Sequence, residues 1–289
     1  MTATNDTATR TVWERLLTID RRIVFVFVGI ALVVPFFLGV SQKMPVSREV
    51  RMMADAMERV PDGALVLIST DYDPPTTPEL QPMSVVCMKY ALKRKWRVVI
   101  CGLYPMGAVQ GNIAWDIAVR DEQFRDRRPV YGTDYVNLGF QSGNEAVIQK
   151  MGSDIHSTFT RDYRGTPIGE IPIMRGVTNL GNLDFMVNVS SGYPGTREWV
   201  QFGVDRFGLK MVAGNTAVQT TEMTPYVGKQ LLGMAGGMRG AAELEQALGF
   251  PGKAGKYMVC QSVAHVIVIA FIVIGNIAYF ATGRRRRGD

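Results

Sequence analysis

Two apolar runs near the ends of the chain limit every fold open to it: residues 23–40 (IVFVFVGIALVVPFFLGV) and 263–282 (VAHVIVIAFIVIGNIAYFAT). Each approaches the ~20 apolar residues that a helix needs to cross roughly 30 Å of hydrocarbon. The first run is longer than the ~7–15 apolar residues of a cleavable signal peptide, so it reads as a signal anchor. The expected division is a short N-terminal segment (1–22), a first span (23–40), an amphipathic connector (41–63), an α/β domain (64–258), a second span (259–283) and a basic tail (284–289).

The net charge of +6 is unevenly placed. Residues 1–22 hold four Arg against Asp6, Glu14 and Asp20, and the tail holds Arg284, Arg285, Arg286 and Arg287 against Asp289. The stretch between the two is almost balanced. A nucleic-acid partner is not expected, because such domains concentrate Lys and Arg on one face or element. Arg21 and Arg22 before the first span and the Arg run after the second fit the positive-inside rule. Both termini are therefore expected in the cytoplasm, with the middle domain outside a plasma (inner) membrane.

Four short apolar runs in the middle end in small or polar residues: 64–68 (ALVLI), 97–100 (RVVI), 185–189 (FMVNV) and 209–213 (LKMVA). Continuous apolar strands of this kind suit a parallel sheet covered on both faces. Shorter strands are expected at 136–138 and 171–174. Thr77-Pro78 is a helix start, with the helix running to about Lys95. Ser142-x-x-Glu145 has the form of a capping box for a helix towards Thr158. Thr196 opens the next helix, and Thr224-Pro225 opens a last one reaching the end of PYVGKQLLGMAGGMRGAAELEQAL. Residues 44–63 carry Val50, Met53, Ala54, Met57 and Val60 at helical spacing. The expected fold is an open, doubly wound, mostly parallel α/β sheet, Rossmann-like without the dinucleotide fingerprint, flanked by one transmembrane helix at each terminus.

In open α/β sheets, ligands bind beyond the carboxyl ends of the strands. That rule selects Ser69, Thr70, Asp71 and Asp73 after the first strand, and Gly102 and Tyr104 after the second. It also selects Ser190, Ser191, Gly192, Gly195 and Thr196 after the third, and Asn215 and Thr216 after the fourth. Asp71 and Asp73 are the candidate acid–base pair, set against ordinary turn chemistry leading into Pro74-Pro75. SSGYPGT resembles an anion cradle, in which a Gly/Ser loop feeds a helix N-terminus. It is neither a P-loop nor G-x-S-x-G. His156 and His265 are the only histidines, which argues against a triad or a His-rich metal site. Cys87, Cys101 and Cys260 show no metal or disulfide spacing. No signal for NAD, haem, zinc or iron–sulfur is present, and no metal site is expected.

Gly233, Gly236, Gly237 and Gly240, read as one helix, each cost ~1 kcal/mol relative to Ala. A compensating close contact is expected, within the domain or with a neighbouring subunit. Asn276 lies in the second span, where an amide facing lipid is costly and an interhelical hydrogen bond relieves it. Together these residues predict a homo-oligomer or a subunit of a membrane complex, anchored in the lipid bilayer. The functional expectation is a structural or accessory protein that binds a small anionic ligand at most. The alternative is an enzyme of the outer membrane face acting on a phosphorylated or lipid-linked substrate. A solute receptor ranks third, because both cytoplasmic ends are short.

Overall fold

A computed structural model describes residues 18–39 and 44–285, together with Val12 and Leu16. Most of segment 1–22, Val40 and the end of the basic tail therefore lie outside the described residues. The chain divides into two compact units, one of residues 1–42 with 256–289 and one of residues 43–255.

The first unit holds α1 (Arg21–Leu38), and most of the long C-terminal helix (Lys253–Arg285) belongs to it. Asp20 caps α1 by accepting the Arg22 N–H at 2.9 Å, and Gly39 closes it in the left-handed region at φ 65°. Phe27 meets Phe271 edge-on at 5.9 Å, and Phe36 stacks on Tyr257 at 6.2 Å. Both helices are long and apolar enough to cross a membrane, and only 11% of each apolar window is buried. That exposure distinguishes them from buried core helices, whose apolar surface would be covered.

The second unit is a six-stranded, all-parallel sheet with flanking helices. In chain order it comprises α2 (Arg48–Glu58), β1 (Leu65–Asp71), α3 (Thr77–Lys93), β2 (Arg97–Gly102), α4 (Gly107–Val119), β3 (Tyr135–Phe140), α5 (Glu145–Ser153) and α6 (Ile155–Thr158). There follow β4 (Phe185–Ser190), α7 (Thr196–Trp199), β5 (Met211–Asn215), α8 (Ala217–Met223), β6 (Leu231–Gly236) and α9 (Gly237–Ala247). The C-terminal helix Lys253–Arg285 is α10. After α7 the chain continues through a π turn (Val200–Val204) into Asp205–Phe207.

The strand order is β3-β2-β1-β4-β5-β6. The chain thus runs outward from β1, returns beside it as β4 and runs outward again, and the connections diverge between β1 and β4. One face packs Leu65, Leu67, Val99 and Val136 against Val147, Ile148, Met151, Trp199 and Val200. On the other face Gly111 of α4 lies against Ile100 and Thr70, and Gly214 lies against Met83 of α3. Strands buried on both faces explain why the sequence runs are apolar without alternation.

Three expectations are corrected. Residues 171–174 are not a strand; they form 3-10 turns (Ile168–Glu170 and Pro172–Met174), with Pro172 at the first position of the second. The helix expected from Ser142 starts at Glu145 and breaks at Asp154, whose backbone is extended and whose side chain restarts the chain as the α6 cap. The single helix expected from Thr224 is instead a 3-10 turn, then β6, then α9. Gly233 and Gly236 therefore belong to a strand.

Their packing is internal to the chain. A Cβ on Gly233 would collide with the Met53 backbone of α2, and one on Gly236 with Thr220. Gly237 adopts φ 63° against Ala217, and Gly240 faces the Ala235 backbone, which an added Cβ would approach to 2.9 Å. The four glycines that pointed to assembly are thus used in seating α2, α8 and α9 on the β6 edge. The connector residues Val50, Met53 and Met57 are fully buried in that same layer.

Candidate functional site

The parallel register places Asp71, Ser190 and Asn215 side by side at the carboxyl ends of β1, β4 and β5. Asp71 is completely buried. Ser69 Oγ donates to both of its carboxylate oxygens (2.8 and 2.9 Å), and the Leu103 backbone N–H donates to Oδ1 at 2.7 Å. Asn188 Nδ2 (2.6 Å) and Trp199 Nε1 (3.0 Å) donate to Oδ2. Burial raises its pKa from 3.8 to about 6, and the Leu103, Ser69, Trp199 and Asn188 donors hold back a larger rise. The carboxylate ties β1 to the end of β2, to β4 and to α7.

The network continues from Asn188. Thr196 Oγ1 lies 2.6 Å from Asn188 Oδ1 and 3.0 Å from Asn215 Oδ1, and Asn215 Nδ2 reaches Gln219 Oε1 at 3.4 Å. Gln219 Nε2 donates to the Gly192 carbonyl at 3.3 Å. Thr70 Oγ1 donates to the Gly107 carbonyl at 2.8 Å, on the α4 side of the sheet. Thr216 caps α8 by accepting from the Gln219 N–H. Gly102 lies so close to Thr70 O that a Cβ there would come within 2.9 Å of it. Asp73 starts the turn into α3: its carbonyl accepts from Thr76 N (3.1 Å) and Thr76 Oγ1 (3.0 Å).

The loop between β4 and α7 closes on itself. The Ser191 N–H donates to Asp71 O (3.1 Å), the Gly192 N–H to Ser190 Oγ (3.3 Å) and the Gly195 N–H to Glu198 Oε2 (2.7 Å). Three of the backbone donors expected to cradle an anion are thus already used. Tyr104 OH donates to the Tyr193 carbonyl at 2.8 Å and bolts the loop from the β2 side. Outside it lies a recess of about 200 Å³ lined by Ser191, Gly192, Arg197, Glu198, Gln219 and Glu222, among others. Arg197 pairs with Glu222 at 3.1 Å, so this lining carries one guanidinium and two carboxylates.

No family model, curated protein or solved structure matches the chain.

Of the residues marked by the sequence, the structure joins Ser69, Asp71, Ser190, Thr196 and Asn215 in the strand-end row or its network. Only Ser191 and Gly192 line the recess. Trp199, Asn188, Glu198 and Gln219 were missed, because the sequence alone gives no sign that their polar atoms converge. Cys87 and Cys101 are buried thiols, and burial pushes Cys87 up to about 12. His156 Nε2 lies 3.0 Å from Val177 O, a local contact remote from Asp71 in the sequence. Among the described residues, no group of three His, Cys, Asp or Glu is arranged to hold a metal ion.

Proposed function

We propose that this is a doubly anchored membrane protein whose Rossmann-like domain acts as a rigid structural or accessory subunit. In this reading α1 and α10 cross the bilayer, both termini are cytoplasmic and the α/β domain stands outside. The observation that carries it is the Asp71 carboxylate, enclosed and held by donors from Ser69, Leu103, Asn188 and Trp199. At the edge where α/β sheets receive ligands, this chain has placed its own side chains and loop. The polar groups there fix strands and a loop in place.

Asn276 supports assembly. It is exposed along α10, and its Nδ2 donates to the Ile272 carbonyl of its own helix, at 2.8 Å. In lipid such an amide gains roughly 0.6–2 kcal/mol from a partner on a neighbouring helix. The charge balance of the recess gives an anionic ligand weak support, because Glu198 and Glu222 offset Arg197.

Native mass spectrometry of the gently extracted full chain, beside Asn276→Leu, tests the proposal. The expected result is a defined multimer or a co-purifying membrane subunit that is depleted in the variant. A monomer in both, carrying a tightly held small molecule, would overturn it. The second reading is an enzyme of the outer membrane face. It draws on the raised pKa of Asp71, a perturbation that catalytic acids share. Turnover abolished in a stably folded Asp71→Asn protein would favour that reading.

A further inference from the structure

Near its C-terminal end α9 carries Glu243, Glu245 and Gln246, which take no part in the Asp71 network. Glu243 and Glu245 are buried, at 1% and 4% exposed. A buried carboxylate is costly unless it is hydrogen-bonded, and both of these are bonded to parts of the chain outside α9.

Glu243 and Gln246, three residues apart, share one side of the helix. Glu243 Oε2 accepts the Ser47 N–H at 2.9 Å, from 196 residues away. Gln246 closes a reciprocal pair with Met44: its Oε1 accepts the Met44 N–H at 3.1 Å, and its Nε2 donates to the Met44 carbonyl at 3.0 Å. Ser47 is the N-cap of α2 and makes no capping bond with its own side chain. Glu243 thus stands where a capping-box carboxylate would, although it comes from another helix. Glu245 points elsewhere. Its Oε2 accepts the N–H groups of Gly252 (3.1 Å) and Gly255 (3.2 Å), and its Oε1 that of Ala254 (3.1 Å). It therefore sits on the N-terminus of α10, where the helix dipole favours an anion.

α9 is itself seated on the sheet. Gly240 fits against the Ala235 backbone, Gly237 against Ala217, and Ala241 and Leu244 are fully buried. One packed helix thus holds both the stretch by which the chain enters the domain from α1 (44–47) and the stretch by which it leaves for α10 (252–255). We propose that α9 is a clamp coupling these two segments, so that a displacement of α9 on the sheet loosens both together. Its use to the protein rests on the membrane reading given above: strain on either bilayer-crossing helix then reaches the domain through one element.

Amide exchange of the full chain in detergent, read by mass spectrometry, tests the clamp, because local openings appear there segment by segment. A Cβ on Gly240 would come within 2.9 Å of the Ala235 backbone, so Gly240→Ala must shift α9. In that variant exchange is expected to rise about tenfold at both 44–47 and 252–255, while β1 and β4 keep wild-type protection. Glu245→Gln is expected to speed 252–255 alone, and Glu243→Gln/Gln246→Leu to speed 44–47 alone. The two ties are then separate and joined through α9. The proposal is overturned by a folded Gly240→Ala protein in which one segment or neither loosens, or in which the sheet loosens equally. Where Gly240→Ala does not fold, the side-chain variants decide, and wild-type exchange in the segment that either one touches overturns the clamp. Every amide read lies within residues 43–255. A failed clamp therefore leaves the membrane reading standing, and a failed membrane reading leaves these exchange rates unchanged.

Discussion

Asp71 makes a pH-dependent contribution to stability whose sign runs against that of most carboxylates. Its pKa rises from 3.8 to about 6 on folding, because burial outweighs the donors around it. The folded state therefore binds the proton more tightly than the unfolded chain does. Stability from this group is complete below pH 3.8 and is lost as pH rises through 6. At about 1.36 kcal/mol per tenfold change in proton affinity, the loss amounts to about 3 kcal/mol. Asp71→Asn does not titrate, so the wild-type-minus-variant difference isolates the effect while every other group cancels. For a domain of this size about 1 kcal/mol corresponds to roughly 2–4 °C in Tm. Between pH 4 and pH 8, where about 2.4 kcal/mol of that loss falls, the wild type is expected to lose about 5–10 °C relative to the variant. Melting the full chain in detergent, followed by tryptophan fluorescence, measures it. A difference that is flat across that range, or that grows in favour of the wild type, would refute the reasoning.

At pH 4 the same variant is expected to be the weaker protein by about 1–3 kcal/mol, because an amide nitrogen in place of Oδ1 faces the Leu103 N–H, and in place of Oδ2 faces Trp199 Nε1. Gly233→Ala is expected to cost at least about 2 kcal/mol, since its methyl meets the Met53 backbone. Gly169→Ala, with nothing within 4 Å, is expected to be near neutral in the same melting assay. Glu245 is buried and accepts the N–H groups of Gly252, Ala254 and Gly255 at 3.1–3.2 Å. Glu245→Ala is therefore expected to speed amide exchange selectively at residues 252–255 and to cost about 1–3 kcal/mol, with unchanged exchange refuting the cap.

The sheet was legible where burial on both faces writes a continuous apolar run, as at β1 (LVLISTD) and β4 (FMVNVS). β6 was not. Its LLGMAG joins α9 in one Gly/Met/Ala stretch, and the small residues there answer to α2 and α8, which the local spacing does not reveal. Selecting strand ends found Asp71 but not its function in the network. Its partners Leu103, Asn188 and Trp199 lie 32, 117 and 128 residues away, and only the parallel register brings them to one carboxylate. The anion cradle read from SSGYPGT met a related difficulty in the loop's own hydrogen bonds. Backbone donors look free in a sequence, and Asp71 O, Ser190 Oγ and Glu198 take three of them in the fold.

The Asp71 network sits at the seam where the chain order of the sheet breaks. β1 and β4 are neighbours that no short crossover joins, since β2, β3 and the long return intervene. A sheet of this order is weakest in covalent connection at that seam, and the seam is where Asp71 sits. Burying a carboxylate there costs free energy that an apolar residue would not. What it provides is direction: one side chain accepts from the β2 end, from β4 and from α7 at once, which no apolar contact specifies. The carboxyl edge is thereby committed to holding the two halves in register.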